Sequence, residues 1–136
     1  MSPLHQAGLA DCPRIWFDQI GSTSEEATRR AQLGDHGPIW LVAGEQSAAR
    51  GRRGRSWASP KGNLFATALF PFHGSLSEAS RVCFAAGLAL IDALEALTPV
   101  RGFRLKWPND VQHGPSKLAG ILIETGRGAR EDSSCS

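Results

Sequence analysis

The chain has 136 residues, which fits one domain on length alone, and its 41% hydrophobic and 21% charged residues are typical of a globular protein. The formal net charge of +2 is too small for a surface that binds nucleic acid over its whole extent, so any basic function must be local. The start has no signal-peptide pattern, and Asp92 and Glu95 interrupt the longest apolar-rich stretch, so we expect a cytoplasmic protein without a membrane span. An odd number of cysteines without metal-ligand spacing disfavours a disulfide framework: Cys12, Cys83 and Cys135.

The first half of the chain alternates strand and helix patterns. Residues 13–20 predict a short strand. Thr23, followed three residues later by Glu26, predicts a capping box and a helix to about Leu33, which Gly34 ends. Two further strands are predicted over residues 39–46 and 63–72.

The second half begins with a longer helix pattern. Ser75 and Glu78 predict another capping box, and the helix should run to about Leu97, before Thr98 and Pro99. Apolar residues that recur every three or four positions predict its buried face: Leu76, Ala79, Cys83, Ala86, Leu90, Leu94 and Leu97.

Short strand patterns follow that helix. Residues 103–107 predict a strand, and residues 110–113 and 117–124 predict a hairpin that places Lys117, Ala119, Ile121 and Ile123 on one face. We therefore expect an α+β fold, a mixed β-sheet covered by helices, over residues 1–125. A disordered tail is expected over residues 126–136.

Residues 49–57, ARGRRGRSW, concentrate four arginines in six positions. A solvated basic loop, a nucleic-acid patch and a phosphate-gripping loop all remain open for this stretch. Glycines allow a ligand to approach the backbone closely, and arginines offer forked donors to phosphate and carboxylate oxygens. The sequence lacks a P-loop pattern, so any nucleotide site is of another kind.

Two polar segments in the second half are also candidate site residues. Residues 106–110, KWPND, gather Lys, Asn and Asp at a strand end, and Lys117 precedes the small residues Ala119 and Gly120, which leave room for a ligand. The alternatives are an ordinary strand end and an edge lysine. The scattered histidines are interpreted as surface residues: His5, His36, His73 and His113.

Three separated segments together resemble the biotin protein ligases, in that family's order. They are GSTS at 21–24, QSAARGRRGRSW at 46–57, and KWPND at 106–110 with KLAGIL at 117–122. The resemblance covers roughly residues 15–125. It implies a C-terminally truncated catalytic fold related to class II aminoacyl-tRNA synthetases, of the monofunctional class without a DNA-binding domain. It also implies that biotin and ATP, with Mg²⁺, give biotinyl-5′-AMP, and that the biotinyl group passes to a lysine of a biotin carboxyl carrier domain.

The resemblance also implies roles for individual residues. The biotin-binding residues would be Ser22, Thr23, Ser24, Gln46, Arg50, Gly51, Arg52 and Lys117. The ATP-binding residues would be Arg52, Arg55, Trp57, Asn109, Asp110 and Lys117. Lys117 and Arg52 would be catalytic, because fixed cations stabilise the charge that builds on the α-phosphate. Biotin's carboxylate is already ionised, which explains the absence of a catalytic histidine.

Departures from the family and several alternatives accompany this interpretation. Besides the truncation, Ser24 stands where asparagine is also common in the family. Ala49 stands where the family usually has glycine, and an alanine there would cost energy if the position required a positive φ. The alternatives are a lipoate or octanoate ligase-like acyl-adenylate enzyme, an inactive truncated fragment, and a basic-loop nucleic-acid binder. The expected partner is a carrier protein, with neither nucleic acid nor membrane, and a homodimer is left open.

Overall fold

The computed structural model describes residues 11–126 of the chain. The expected tail beyond Gly126, together with Cys135 and His5, lies outside the described residues. The chain forms two compact units: the first includes the described residues up to Pro71 together with Gly126, and the second is Phe72–Thr125. The expectation of one domain over residues 1–125 stays a prediction, and each unit is described by itself.

The first unit is a three-stranded mixed sheet with one helix. Strand β1 (Arg14–Phe17) runs parallel to the central strand β2 (Ile39–Ala43), and β3 (Phe65–Leu69) runs antiparallel to β2. Helix α1 (Thr23–Gln32) packs against β2 and β3. This packing buries a small apolar core that includes Ala27, Leu41, Ala43 and Phe65.

The strands of this unit are shorter than the sequence predicts. Strand β2 was expected to reach Gln46 but ends at Ala43, where its partner β3 begins at Phe65. Beyond that point Gln46 forms isolated bridges to Ile20 and Ser59 instead of continuing the ladder. The shared register therefore sets the bounds of both strands.

Ser22, and not Thr23, caps α1, so the predicted capping box at Thr23 and Glu26 is wrong. Ser22 has extended backbone angles, and its Oγ accepts a 3.3 Å hydrogen bond from the backbone N–H of Glu25. The hydroxyl of Thr23 instead forms hydrogen bonds with Gln46 and Thr67, which lie outside the helix. The helix end is close to the prediction, because Gly34 adopts the left-handed φ of 92° that follows many helices.

The second unit is a three-stranded antiparallel sheet with one long helix. Helix α2 (Leu76–Leu97) packs against β4 (Phe103–Lys106) and β5 (Asp110–His113), and β6 (Ser116–Gly120) pairs with β5. The capping box that precedes α2 is confirmed, since Ser75 N donates to Glu78 at 2.6 Å and Glu78 N donates to Ser75 Oγ at 3.2 Å. The expected single sheet is thus two separate three-stranded sheets among the described residues.

The buried face of α2 is shorter than its apolar pattern. Leu76 and Leu97 are 76% and 82% exposed, so the prediction that they are buried is wrong. The buried residues are Ala79, Cys83 and Gly87, and a Cβ added at Gly87 would meet the side chain of Leu105 in β4. A helix of this length spans roughly 33 Å, whereas a four-residue strand spans roughly 13 Å, so the strands cover only part of the helix.

Strand β6 ends earlier than predicted, at Gly120 rather than Glu124. Its pairing shifts between Val111 and Gln112, because Val111 pairs with Ala119 and Gln112 pairs with Lys117. The bulge leaves Leu118 without a ladder partner. The bulge interrupts the predicted alternation of faces between Lys117 and Ala119, and β6 ends before Ile121 and Ile123. Neither helix within residues 11–126 is long and apolar enough to cross a membrane.

Candidate functional site

A hydrogen-bonded polar cluster lies between the start of α1 and strand β3. The backbone N–H and the hydroxyl of Thr23 both donate to Gln46 Oε1, at 2.8 and 3.1 Å. Gln46 Nε2 donates to Ser59 Oγ at 3.2 Å, and the Oγ1 atoms of Thr23 and Thr67 are 2.8 Å apart. Thr23 and Ser59 are only 3% and 6% exposed, whereas Gln46 and Thr67 are partly buried.

The elements of the first unit explain why these side chains meet. Capping by Ser22 starts the helix at Thr23, which points the first N–H groups of α1 towards the segment after β2. Gln46 is held there because its N–H donates to Ser59 O at 3.4 Å and because it bridges Ile20. Ser24 follows on the first turn of α1 and is partly buried.

The structure brings together three predicted residues, Ser22, Thr23 and Gln46, and adds two that the sequence analysis missed. Thr67 could have been found from strand alternation, since it lies on the same face of β3 as the buried Phe65. Ser59 carries no comparable signal, because it follows the arginine-rich stretch in a segment without periodicity.

A shallow depression of about 200 Å³ adjoins the N-terminus of α1. It is lined by Ile20, Gly21, Ser22, Glu25, Glu26 and Arg29. A hydrogen bond from Arg29, followed by one from Arg30, lowers the pKa of Glu26 to about 2, against the opposing effect of burial. The carboxylate of Glu26 is ion-paired with both arginines, at 2.7 Å from Arg29 Nη2 and 2.9 Å from Arg30 Nε.

The arginine-rich segment forms a closed loop. Trp57 N donates to Ala49 O at 2.9 Å and Gly51 N donates to Arg55 O at 2.7 Å, while Arg52–Gly54 make a short 3₁₀ turn. Its arginine side chains are exposed, and Arg50 Nε approaches Glu25 Oε1 only to 4.0 Å.

Positive φ occurs in this loop at Arg53, not at Ala49. Among the described residues other than glycine, Arg53 alone adopts a positive φ, of 59°. The conformational cost considered for Ala49 therefore does not arise. The side chain of Trp57 is 41% exposed and lies beside Gly51, where an added Cβ would be 3.7 Å from the indole ring.

The second unit brings together Asn109, Asp110 and Lys117. Asn109 forms two hydrogen bonds with Ile121: its Nδ2 donates to Ile121 O at 3.0 Å, and its carbonyl accepts from Ile121 N at 2.9 Å. Asp110 Oδ1 is 2.8 Å from Lys117 Nζ. This oxygen is buried and makes no hydrogen bond of good geometry within the described residues, so the contact is an ion pair. Cys83 Sγ also lies 3.7 Å from Ile121 O.

The described residues contain neither a cluster of metal-ligating side chains nor a buried histidine. Residues 11–126 contain no group of three His, Cys, Asp or Glu side chains that could hold a metal ion. The described histidines are exposed, as predicted: His36, His73 and His113.

The model of the biotin/lipoate A/B protein ligase family matches residues 16–135 of this chain. The chain belongs to that family. It is 45% identical over 105 residues to a biotin–(acetyl-CoA-carboxylase) ligase of Paracoccus denitrificans, a match that covers 76% of this chain and 43% of the relative. It is 37% identical over 111 residues to the ligase of the same name from Mycobacterium tuberculosis, covering 78% and 42%.

Solved structures of biotin protein ligases have the same fold. The Aquifex aeolicus enzyme in complex with biotin and ATP matches with a TM-score of 0.70 and 34% identity, over 85% of this chain and 48% of that one. The Leishmania major enzyme in complex with biotinyl-5-AMP matches with a TM-score of 0.61 and 31% identity, over 84% and 52%. The predicted family and α+β fold class are confirmed, and the chain spans about half the length of these relatives.

Proposed function

We propose that this chain carries biotin- and ATP-binding segments of a biotin–protein ligase. The observation that carries the proposal is the bonding of Thr23 to Gln46, because these residues belong to two of the separated segments that resemble the family. Since the chain covers 43% of the Paracoccus denitrificans ligase, the activity of a whole ligase is part of the proposal.

The polar cluster supports biotin as the acid that is bound. Biotin ends in a cyclic urea, which has one carbonyl acceptor and two N–H donors. Hydroxyl and amide groups, such as those of Ser22, Thr23 and Gln46, can match both kinds of group. A lipoyl dithiolane or an octanoyl chain has no such groups, and the two curated relatives named above are biotin ligases. Ser24 is a further proposed contact on the same turn.

The proposed first step joins biotin to AMP. A carboxylate oxygen attacks the α-phosphorus of ATP, a new P–O bond forms, and the bond to pyrophosphate breaks. Negative charge builds on the phosphate oxygens, so the cations Arg50, Arg52 and Lys117 would stabilise the transition state. One such donor contributes on the order of 3 kcal/mol, or about a hundredfold in rate. Biotin loses no proton in this step.

The other predicted nucleotide contacts are compatible with their surroundings. Arg55 and Trp57 are exposed on the arginine loop, where the indole offers a flat face to the adenine. Gly51 leaves the backbone open beside that indole. Mg²⁺ commonly uses one or two carboxylates together with substrate phosphates, and Asp110 is the carboxylate among the proposed ATP contacts. Bound there, Mg²⁺ would neutralise phosphate charge.

The proposed second step uses a carrier protein. The neutral amine of a carrier lysine attacks the carbonyl carbon of biotinyl-5′-AMP, an amide bond forms, and AMP leaves while the amine loses a proton to solvent. A biotin carboxyl carrier domain is the proposed partner. A cytoplasmic location and a homodimer are further parts of the proposal.

Calorimetric titration of the chain with biotin, with and without ATP and Mg²⁺, tests the proposal. Biotin should bind, ATP and Mg²⁺ should tighten it, and pyrophosphate should be released when all are present. Modification of a carrier domain then tests the transfer step. If the chain binds lipoate or octanoate and does not bind biotin, it is a lipoate or octanoate ligase-like member of the same family. Tight oligonucleotide binding at physiological salt, without biotin binding, would favour a basic-loop binder.

A further inference from the structure

One backbone group determines the direction of the hydrogen bonds in the polar cluster. The N–H of Thr23 can only donate, and it lies 2.8 Å from the side chain of Gln46, so the atom it meets must be the carbonyl oxygen Oε1. The amide nitrogen then faces Ser59, to whose Oγ it donates at 3.2 Å. The orientation of the Gln46 amide is thereby determined.

The same oxygen determines the direction of the hydroxyl contacts. Thr23 Oγ1 is 3.1 Å from Gln46 Oε1, which has no hydrogen, so Thr23 donates. A hydroxyl has one hydrogen. In the 2.8 Å contact between Thr23 and Thr67, the donor must therefore be Thr67. The result is a directed chain from Thr67 to Thr23 to Gln46.

Thr67 is the more exposed end of this series of hydrogen bonds. Thr23 is 3% exposed, whereas Thr67 is only partly buried. Because its hydrogen is used towards Thr23, Thr67 Oγ1 offers only lone pairs to a ligand. Thr67 pairs with Leu41, which is fully buried, and this pairing holds the hydroxyl on the helix side of the sheet.

We propose that Thr67 is a further specificity-determining residue, which accepts a hydrogen bond from an N–H of the ligand. The inference rests on the proposed function and identifies the ligand group that meets β3 as a ureido-type N–H. A dithiolane or a hydrocarbon chain has no hydrogen to donate, so it would leave the Thr67 oxygen desolvated and unpaired. A site built around such a bond discriminates against ligands that lack the donor.

Calorimetry with two substitutions tests the role of the hydroxyl. Thr67→Val removes it and keeps the side-chain shape, whereas Thr67→Ser keeps it. The valine variant should bind biotin and desthiobiotin about tenfold more weakly, the loss expected for one hydrogen bond. The serine variant should stay within roughly threefold of the parent protein. ATP affinity should be unchanged in both variants. Thr28→Val is the matched control, because that exposed hydroxyl donates to Ser24 O within its own helix.

Biotin methylated on one or the other ureido nitrogen separates a ligand contact from a structural role. The parent protein and the Thr67→Val variant should have the same affinity for the analogue in which the methyl group replaces the hydrogen that faces Thr67. Thr67 makes no such bond if Thr67→Val lowers the affinity for both analogues as much as the affinity for biotin. The same conclusion follows if the substitution lowers the affinity for none of these three ligands. A parent that binds lipoate but no biotin would instead overturn the proposed function, and this inference with it. Thr67→Ala replaces the valine variant if circular dichroism shows that the valine variant does not fold.

Discussion

Gln46 Oε1 accepts two hydrogen bonds from Thr23, at 2.8 Å from the backbone N–H and at 3.1 Å from the hydroxyl, across 23 residues of sequence. The contact joins the first turn of α1 to the segment that leads into the arginine loop. One glutamine side chain therefore both completes the start of a helix and orders the polar groups proposed to meet biotin.

Gln46→Leu should destabilise the fold and abolish biotin binding. The substitution leaves the buried N–H of Thr23 without its acceptor, which costs about 1–3 kcal/mol. Urea denaturation measures the free energy of unfolding, and calorimetry measures biotin affinity. Gln32→Leu, at the exposed end of α1, is the control and should change neither quantity appreciably. Unaltered stability of Gln46→Leu would show that water or another group replaces the amide.

Lys117→Ala should slow pyrophosphate release by about a hundredfold, if Lys117 stabilises the phosphate charge as proposed. It should also cost about 1–3 kcal/mol of stability, because Asp110 Oδ1 is buried and faces Lys117 Nζ at 2.8 Å. Adding Asp110→Asn should recover part of the stability but none of the rate. Lys61→Ala, in the first unit, is the control. A Lys117→Ala variant that releases pyrophosphate at the parent's rate would reduce Lys117 to a structural partner of Asp110.

Acidification should weaken the first unit through Glu26. The pKa of Glu26 falls from 4.5 to about 2 because Arg29, and then Arg30, hydrogen-bond its carboxylate. A folded-state pKa below the unfolded one contributes stability that is fully present above about pH 4.5 and is lost as the pH falls towards 2. Urea denaturation at pH 7, 4 and 3 should show a shallower decline for Glu26→Gln than for the parent.

Glu25→Gln is the matched control for this pH series. Its carboxylate approaches Arg50 only to 4.0 Å, and both side chains are well exposed. This variant should follow the parent's pH dependence closely. Parallel curves for the parent and Glu26→Gln would show that the arginine contacts do not stabilise the folded state.

Asn109→Ala should expose Cys83 to thiol reagents. The amide of Asn109 and the thiol of Cys83 both contact Ile121 O, at 3.0 and 3.7 Å, and Cys83 is only 9% exposed. Loss of the amide should loosen this end of the unit and raise the labelling rate of Cys83, measured with Cys12 and Cys135 replaced by serine. Asn63→Ala is the control, since its amide likewise bonds a carbonyl, at Pro60 in the first unit.

The same variant separates two roles for Asn109. A residue that only contacts nucleotide would lower ATP affinity without changing the Cys83 labelling rate. A residue that holds the turn in place would change the labelling rate even without ATP. The two reciprocal hydrogen bonds to Ile121 lead us to expect the second result.

Features that depend on neighbouring residues could be predicted from the sequence by itself. The capping box of Ser75 and Glu78, the start and end of α2 and the stop near Gly34 all follow from hydrogen bonds or backbone angles within a few residues. The family could likewise be predicted, because its separated segments keep their order and residue types along the chain. The resemblance predicts Ser22, Thr23 and Gln46 as site residues for the same reason, and their role in binding stays a prediction.

Tertiary structure alone decided how the polar groups are shared. Thr23 has the spacing of a capping residue, yet its hydroxyl bonds Gln46 and Thr67 because the sheet brings them within reach. Strand ends follow the partner's length, and the bulge opposite Val111 changes which side chains of β6 share a face. These outcomes depend on hydrogen bonds and strand pairing between residues that are far apart in sequence. The residues next to each group along the chain do not indicate which distant partner it will meet.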